Sequence, residues 1–195
     1  MMAMHVQCGP VRDLHDYVAI SSAFDSNAIL DVAGEGDRCR LIERALHKPF
    51  HKDYDAVENP LRWPVLFDVS NWALFSACEQ GRGIGGAIAA WKTSGVDMLE
   101  GRSDLVVVWD LRVAPQARGQ GVGSALFRAI EAWGRSRSCT QLKVETQDVN
   151  VAACRLYQSC GCTLAQVNRG AYREFPQETQ LIWTKRLAPA GQASP

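Results

Sequence analysis

A run of small and polar residues, Val113-Ala-Pro-Gln-Ala-Arg-Gly-Gln-Gly-Val-Gly-Ser124, constrains the fold of this chain more than any other stretch. It follows the apolar, β-branched segment 105–113 and leads directly into a helical pattern. Because glycine has no side chain, the run allows a tight turn whose backbone N–H groups converge on one point, where the dipole of the following helix adds positive charge. Arg118 adds a guanidinium, which binds phosphate through two parallel hydrogen bonds. The run therefore predicts a binding site for a pyrophosphate.

Two other nucleotide-binding motifs use glycine-rich turns, and the spacing here fits neither of them. A dinucleotide fingerprint needs G-x-G-x-x-G, whereas the glycines of this turn stand at 119, 121 and 123. A kinase-type phosphate loop needs Gly-Lys followed by Ser or Thr, and this turn contains no lysine. The sequence therefore excludes both kinds of nucleotide site at this turn.

The composition predicts one domain with no nucleic-acid partner and no membrane partner. A chain of 195 residues, 47% of them hydrophobic, is long enough for one buried core, which we expect to span residues 1–187 ahead of a disordered tail over 188–195. Lys plus Arg and Asp plus Glu number 21 each, so no net charge attracts the chain to nucleic acid or to an anionic membrane.

The ends and the cysteines of the sequence indicate a cytoplasmic location. The first residues have neither the basic nor the apolar segment of a signal peptide, and no apolar run approaches the roughly 20 residues that cross a bilayer. The seven cysteines are an odd number without paired spacing, which is typical of reduced thiols. Reduced thiols are the rule in the cytoplasm.

The first third of the sequence predicts one strand, two helices and a loop. Residues 4–12 are typical of a strand, and residues 13–28 carry helical content. A second helix is predicted over 37–46, where apolar residues recur at helical spacing. Pro49 ends that helix, and the polar, turn-rich segment 49–64 is typical of a loop over a site.

The rest of the sequence predicts alternating strands and helices, marked by glycines and by a helix cap. The predicted elements are a hairpin of 72–78 and 84–91, an exposed connection over 93–104, a central strand at 105–113, a helix from 122, a strand at 141–146, a helix between the N-cap Asn150 and Gly161, and closing strands at 162–168 and 179–185. This order argues for an α/β fold with a mixed sheet.

The turn and the elements after it resemble one family. Arg118-x-x-Gly121-x-Gly123 is similar to the acetyl-CoA loop of the GNAT superfamily of acyltransferases. The string Glu145-Thr-Gln-Asp-x-Asn150-x-x-Ala153-Cys154-x-x-Tyr157 resembles the streptothricin acetyltransferase branch in particular. Weaker similarities to that branch are Lys52-Asp-Tyr-Asp55 and Tyr172-Arg-Glu-Phe-Pro176. The strong match covers about residues 104–165.

The resemblance implies the GNAT fold, a mixed central sheet of six or seven strands flanked by about four helices, with acetyl-CoA as co-substrate and no metal. It places the strand before the turn along the pantetheine arm and the turn on the pyrophosphate. The implied cofactor-binding residues are Leu111, Arg112, Val113, Arg118, Gly119, Gln120, Gly121, Val122, Gly123, Ser124, Asn150, Ala153 and Tyr157.

Acetylation of an amine requires a neutral amine, donors for the developing oxyanion and a proton for the departing thiolate. Tyr157, which the resemblance places near the sulfur, is the candidate acid, because an unperturbed phenol titrates near ~10. The alternative is a structural tyrosine, half-buried in its helix and bonded to a carbonyl.

Asp110 and Glu145 are the candidate general bases, acting through a water relay. A carboxylate in an otherwise apolar strand either pairs with another group or carries out chemistry. A structural role, such as accepting backbone N–H groups, is the alternative for each. The related branch commonly has Glu just before the matched Asp, and this chain has Trp109 there.

Four residues are candidates for the wall of the acceptor site: Asp53, Tyr54, Asp55 and Tyr172. Carboxylates and aromatic rings are the groups that hold a cationic amine. A solvated polar loop is the alternative for this segment. His47 and His51 have the spacing of metal ligands on a helix, but Pro49 between them spoils that geometry, and no metal is expected.

The predicted function is therefore acetyl-CoA-dependent transfer of an acetyl group directly to a primary amine of a small molecule, streptothricin-like or another polyamine-type acceptor, as in antibiotic resistance. Two alternatives stay open, an N-acetyltransferase of proteins or peptides and a non-catalytic sensor that binds acyl-CoA. Dimers are common in the GNAT superfamily, so the resemblance also allows a homodimer.

Overall fold

A computed structural model describes residues 4–34 and 39–188. Their α-helices and strands, in chain order, are β1 (His5–Pro10), α1 (His15–Val18), β2 (Phe24–Ala33), β3 (Arg40–Lys52), α2 (Trp63–Leu66), β4 (Ala73–Glu79), β5 (Arg82–Trp91), β6 (Leu105–Val113), α3 (Val122–Arg135), β7 (Gln141–Gln147), α4 (Val151–Ser159), β8 (Thr163–Arg169) and β9 (Thr179–Arg186).

The described residues form two compact units. The first unit comprises residues 4–22, 54–143 and 186–188, and the second comprises residues 23–34, 39–53 and 144–185. Strand β7 begins in the first unit and ends in the second. The single domain over 1–187 stays a prediction, and the predicted tail lies, apart from Ala188, outside the described residues.

The first unit packs helix α3 against an antiparallel sheet with the strand order β1-β4-β5-β6. Leu126, Phe127 and Ile130 of α3 are fully buried. Helix and sheet approach closely at Gly85, where an added Cβ would lie 2.7 Å from Cγ1 of Val122. This close approach fixes the start of α3, and with it the turn that leads into the helix.

A β-bulge interrupts the pairing of β5 with β6. Ile88 pairs with Asp110 and Ala89 with Val108, so Trp109 is an extra residue on β6. The Trp109 ring packs at centroid distances of 5.0 to 6.2 Å against three other aromatic rings of the first unit, those of Trp63, Phe67 and Trp72. Trp109, which stands where the related branch commonly has Glu, thus contributes to an aromatic cluster.

The second unit contains two sets of strands and one helix. Strands β2 and β3 form an antiparallel ladder whose register shifts between Ser26 and Ala28, opposite the part of β3 that contains Pro49. Strand β9 lies between β7 and β8, and it runs antiparallel to β8. The backbone of Asp148 ties the first ladder to the end of β7, because its carbonyl accepts the N–H of Leu30 at 3.0 Å.

The prediction was wrong for the two N-terminal helices. Only residues 15–18 of the segment 13–28 are helical, and β2 begins at Phe24. The predicted helix over 37–46 is strand β3 from Arg40 onward, and residues 37 and 38 lie outside the described residues. Pairing with β2 outweighs the helical spacing, and the strand contains Pro49 at an interruption of the ladder, where its missing N–H costs little. The predicted loop over 49–64 accordingly contains the end of β3 and the start of α2.

The prediction was right for the class of fold and for the elements after residue 70. The described residues contain a seven-stranded sheet and four α-helices, which confirms the α/β fold. The hairpin β4–β5, the central strand β6, helices α3 and α4, and the closing strands β8 and β9 lie where the sequence predicts them.

A buried ion pair joins β3 to the segment before β9 in the second unit. Nζ of Lys52 donates a hydrogen bond to Oε2 of Glu178, and the two side chains are 8% and 0% exposed. The Lys52 ammonium also lies 4.3 Å from the ring centre of Phe175. Breaking such a pair leaves an uncompensated charge in the interior.

We expect Glu178→Gln to lower the free energy of unfolding by about 3–5 kcal/mol, because the buried ammonium of Lys52 then loses the carboxylate charge that it contacts. Urea unfolding followed by circular dichroism measures the loss. The matched control is Glu43→Gln, which breaks a pair with Arg155 whose side chains are 44% and 66% exposed. The control should lower the free energy of unfolding by less than about 1 kcal/mol. Equal losses in the two variants would show that the Lys52–Glu178 pair contributes no more than an exposed pair.

Candidate active site

The turn between β6 and α3 has the backbone conformation that its glycines permit. Gly119 and Gly121 have φ values of +75° and +84°, in the left-handed region that favours glycine. An added Cβ would meet nothing within 4 Å at either position. Backbone conformation, and not crowding, therefore requires glycine here, and the space beside the turn is open.

Helix α3 begins with backbone donors that its own hydrogen bonds do not use. Gly121 is the N-cap, and its carbonyl accepts the N–H of Ala125 at 3.0 Å. The N–H groups of Val122, Gly123 and Ser124 precede that bond, so the helix supplies no carbonyl for them. Three adjacent donors at the positive end of a 14-residue helix are an arrangement that attracts an anion, which makes this turn the candidate anion site.

Side chains hold the turn in place next to these donors. Nε of Arg118 donates to the carbonyl of Val113 at 3.1 Å, which ties the turn to the end of β6. Nε2 of Gln120 donates to the carbonyl of Gln116 at 2.8 Å. Arg118 is exposed, so its guanidinium is accessible from solvent at the anion site.

Asp110, on the β6 bulge, is held through only one of its oxygens. Oδ2 accepts the hydroxyl of Tyr17 at 2.7 Å and two N–H groups of Arg112 at 2.9 and 2.6 Å. From the residues that the structure describes, Oδ1 receives no hydrogen bond. The side chain is 19% exposed, so Asp110 is an oriented carboxylate with one oxygen left to accept a proton or an N–H group.

Tyr17 is a partner of Asp110 that sequence reasoning missed. The side chain is buried, and its pKa is raised well above the usual value, first by burial and then by the negative charge of Asp110. Tyr17 therefore stays a hydrogen-bond donor to Asp110 at every physiological pH. The two residues are 93 positions apart, and no local sequence signal connects them.

Arg112 stays charged although it is buried. Burial, the largest single effect, lowers the pKa of Arg112, but the acidic groups around it, Asp110 first among them, together raise it more, so the pKa lies above the usual value. Asp110 and Arg112 lie two residues apart on one strand, so their side chains share a face. That spacing was a signal in the sequence, and the prediction assigned Arg112 to the cofactor without using it.

Glu145 in the second unit is also held through one oxygen by a tyrosine. The hydroxyl of Tyr172 donates to Oε1 of Glu145 at 2.7 Å and accepts the amide of Gln147 at 2.8 Å. Within residues 4–34 and 39–188, Oε2 of Glu145 receives no hydrogen bond. Tyr172, predicted as part of the acceptor wall, is therefore a direct partner of this candidate base.

Helix α4 begins and ends as the sequence predicts. The side chain of Asn150 caps it by accepting the N–H of Ala153 at 3.1 Å. Gly161 follows the helix with a φ of +82°. Tyr157 is 6% exposed and lies on the buried side of this helix. The cap confirms the predicted local structure of Asn150, while its contact with a cofactor stays a prediction.

The thiol of Cys154, in the same helix, is buried and protonated. Burial, followed by the negative charge of Asp148, raises its pKa to about 12. Its sulfur lies 3.7 Å from the carbonyl of Gln147, in hydrogen-bond contact. Because the thiolate is the nucleophilic form of cysteine, Cys154 does not act as an acyl carrier at neutral pH.

Asp55, another of the predicted acceptor residues, is joined to the candidate base Asp110 through Arg112, and all three residues lie in the first unit. Its carboxylate accepts two N–H groups of Arg112 at 3.0 and 3.2 Å, and it is 27% exposed. The carbonyl of Tyr54 accepts the N–H groups of Val57 and Glu58, which shapes the loop after it. Asp53 belongs to the second unit.

A family model described as the acetyltransferase (GNAT) family matches residues 39–162, more than half of the chain. The chain belongs to this family.

Curated relatives carry antibiotic-modifying names. A streptothricin acetyltransferase from Escherichia coli is 36% identical over 84 residues, which cover 42% of this chain and 48% of that protein. An aminoglycoside N(6')-acetyltransferase type 1 from Klebsiella aerogenes is 46% identical over 56 residues, which cover 28% of this chain and 37% of that protein. The chain thus spans about half or less of the length of the curated relatives that it matches.

Solved structures confirm the GNAT fold along almost the whole chain. A nourseothricin acetyltransferase has a TM-score of 0.71 at 23% identity, covering 95% of this chain and 99% of that one. A candidate streptothricin acetyltransferase from Bacillus anthracis, in complex with acetyl coenzyme A, has a TM-score of 0.76 at 20% identity, covering 96% of this chain and 100% of that one. The resemblance to GNAT proteins that the turn and helix α4 predict is therefore confirmed.

Two further observations concern metals and membranes. Across residues 4–34 and 39–188, no three or more His, Cys, Asp or Glu side chains are grouped to hold a metal ion. His47 and His51 lie on strand β3, and His51 contacts Asp25. Among the helices that the structure describes, none has the length and apolar character needed to cross a membrane.

Proposed function

We propose that this GNAT protein is an N-acetyltransferase that takes the acetyl group of acetyl-CoA and transfers it directly to a primary amine of a small, polyamine-type molecule such as streptothricin. The observation that carries the proposal is the turn before α3, where Gly119 and Gly121, at φ +75° and +84° and with open space beside them, lead into the first N–H groups of the helix next to Arg118. Those donors fit the pyrophosphate of coenzyme A.

The residues divide the work in the following way. The N–H groups of the turn and Arg118 would hold the pyrophosphate and the backbone of residues 111–113 the pantetheine arm, and Asn150 and Ala153 would also bind the cofactor. Acetyl-CoA, when bound, supplies the thioester. The amine nitrogen forms the new bond to the acetyl carbon as the carbon–sulfur bond breaks. Asp110 or Glu145 takes the proton from the amine, and Tyr157 gives its proton to the sulfur.

The carboxylates support a cationic acceptor. Asp55 and Asp110 place two partly exposed carboxylates around the single guanidinium of Arg112. A polyamine is positively charged in water, and a local negative charge attracts it. The names of the Escherichia coli and Klebsiella aerogenes relatives agree with amines of this class.

A thiol-release assay with acetyl-CoA and a panel of amines tests the function. The panel contains streptothricin, an aminoglycoside, a polyamine and a peptide with a free N-terminus, and we expect turnover with one or more of the cationic small molecules. Turnover with the peptide alone would favour a protein substrate. Binding of acetyl-CoA in calorimetry without turnover of any amine would favour a sensor and would contradict the proposal.

Arg118→Ala tests the pyrophosphate site without any acceptor. Loss of a charge-assisted hydrogen bond to phosphate should weaken acetyl-CoA binding by about tenfold or more, measured as the Kd in calorimetry. Arg128→Ala, which removes an exposed arginine from the middle of helix α3, is the matched control and should leave the Kd unchanged. Equal effects of the two variants would show that only net charge matters.

Tyr157→Phe tests the general acid. The variant keeps the ring in its buried place and removes only the proton donor, so kcat should fall by about a hundredfold while the Kd of acetyl-CoA stays the same. The urea unfolding midpoint serves as the folding control. Near-full kcat in a folded Tyr157→Phe enzyme would make Tyr157 a structural residue.

A further inference from the structure

The guanidinium of Arg112 has a protein acceptor for every one of its N–H groups. Nε donates to Asp110 at 2.9 Å, and Nη2 donates to Asp110 at 2.6 Å and to Asp55 at 3.0 Å. Nη1 donates to the carbonyl of Ile20 at 3.0 Å and to Asp55 at 3.2 Å. A guanidinium has five N–H donors, and these five bonds use all of them.

Because all five N–H groups of Arg112 donate to protein acceptors, its guanidinium positions those acceptors and does not itself bind a ligand. The Arg112 side chain is only 2% exposed, and its guanidinium carbon lies 4.6 Å from the ring centre of Tyr17, which covers one face. No donor of Arg112 remains for a phosphate or for a substrate carbonyl. The Arg112 side chain can therefore affect a reaction only through the positions of Asp55 and Asp110.

The carboxylates of Asp55 and Asp110, which share the Arg112 guanidinium, are both partly exposed. Asp55 is 27% exposed and Asp110 is 19% exposed. Asp55 is also pinned from the other side, because its backbone N–H donates to Oγ of Ser22 at 3.1 Å and its Oδ2 accepts the N–H of Ser22 at 3.4 Å. Arg112 therefore fixes the loop that follows residue 53 to the bulged strand β6 and to the segment after α1.

We propose that Arg112 is a positioning residue for the acceptor amine: its buried guanidinium sets Asp55 and the open oxygen of Asp110 in one fixed arrangement that orients the ammonium group. This inference rests on the proposed function. Strand β6 thereby has two separate tasks in the first unit, since its backbone leads to the cofactor turn while the Arg112 side chain organises the acceptor carboxylates.

Arg112→Lys is the variant that tests the proposal. Lysine keeps the charge but cannot donate to two carboxylates in the forked geometry of arginine. We expect kcat/KM for the acceptor to fall by about tenfold or more, mainly through KM, while the Kd of acetyl-CoA changes by less than about threefold. A second variant, Asp55→Asn, keeps the shape of the loop residue and should raise the acceptor KM in the same way.

Arg102→Lys is the matched control. Arg102 also makes two parallel bonds to an aspartate, at 3.0 and 2.9 Å from Asp104, just before the start of β6. It should leave the acceptor KM unchanged. If Arg112→Lys weakens acetyl-CoA binding as much as it affects the acceptor, or if it leaves kcat/KM for the acceptor within about threefold of the wild type, the positioning role is wrong.

Hydrogen exchange distinguishes a failure of this inference from a failure of the proposed function. The N–H groups of Val57 and Glu58 are bonded to the carbonyl of Tyr54, and their exchange in a peptide over 54–60 reports the order of the loop. Exchange should become faster in Arg112→Lys and not in Arg102→Lys. Lack of turnover by the wild type with every amine would overturn the proposed function, and unchanged exchange in Arg112→Lys would then overturn the positioning role as well.

Discussion

The buried guanidinium of Arg112 connects three segments of the first unit that are far apart in sequence. Arginine keeps its charge in proteins, so a side chain that is 2% exposed needs anionic partners, and Asp55 and Asp110 supply them. Tyr17 completes the arrangement through its ring and its hydroxyl. Gly86 on β5 makes room for that ring, since an added Cβ would lie 2.7 Å from it. A glycine in the neighbouring strand thus leaves space for the tyrosine that bonds to Asp110.

The bulge at Trp109 explains how one strand serves an aromatic cluster and a polar network at adjacent positions. An extra residue in one strand locally disrupts the pairing and re-aims the side chains next to it. The Trp109 ring contacts Trp63 and Phe67, whereas the next residue, Asp110, contacts Tyr17 and Arg112. The aromatic cluster also anchors the segment that follows Asp55, because Nε1 of Trp63 donates to Glu58 at 2.6 Å. Loss of the bulge would therefore disturb both the core and the carboxylates.

Local sequence signals such as turn glycines and helix caps made the elements after residue 70 predictable. The lack of such signals explains why the two N-terminal helices were predicted wrongly. Left-handed glycines at 119 and 121 and a side-chain cap at Asn150 are decided by their nearest neighbours in sequence. Strand β3 is exposed along most of its length, so no buried face imposes an alternating pattern on its residues. Only its pairing with β2 makes it a strand. The two-residue spacing of Asp110 and Arg112 could be recognised in the sequence. The hydrogen bond from Tyr17 to Asp110 spans 93 positions and follows from the tertiary fold alone.

The buried thiol of Cys154 argues against a covalent acyl intermediate on that residue. An acyl-cysteine route needs a thiolate, and the Cys154 thiol is buried with a pKa of about 12. Direct transfer needs no nucleophilic side chain, but it does need a group that accepts the proton of the amine. Asp110 and Glu145 each have one oxygen held by a tyrosine and a second oxygen that no described group of the protein occupies. Asp110 accepts three hydrogen bonds and Glu145 one, so Asp110 is the more rigidly held of the two.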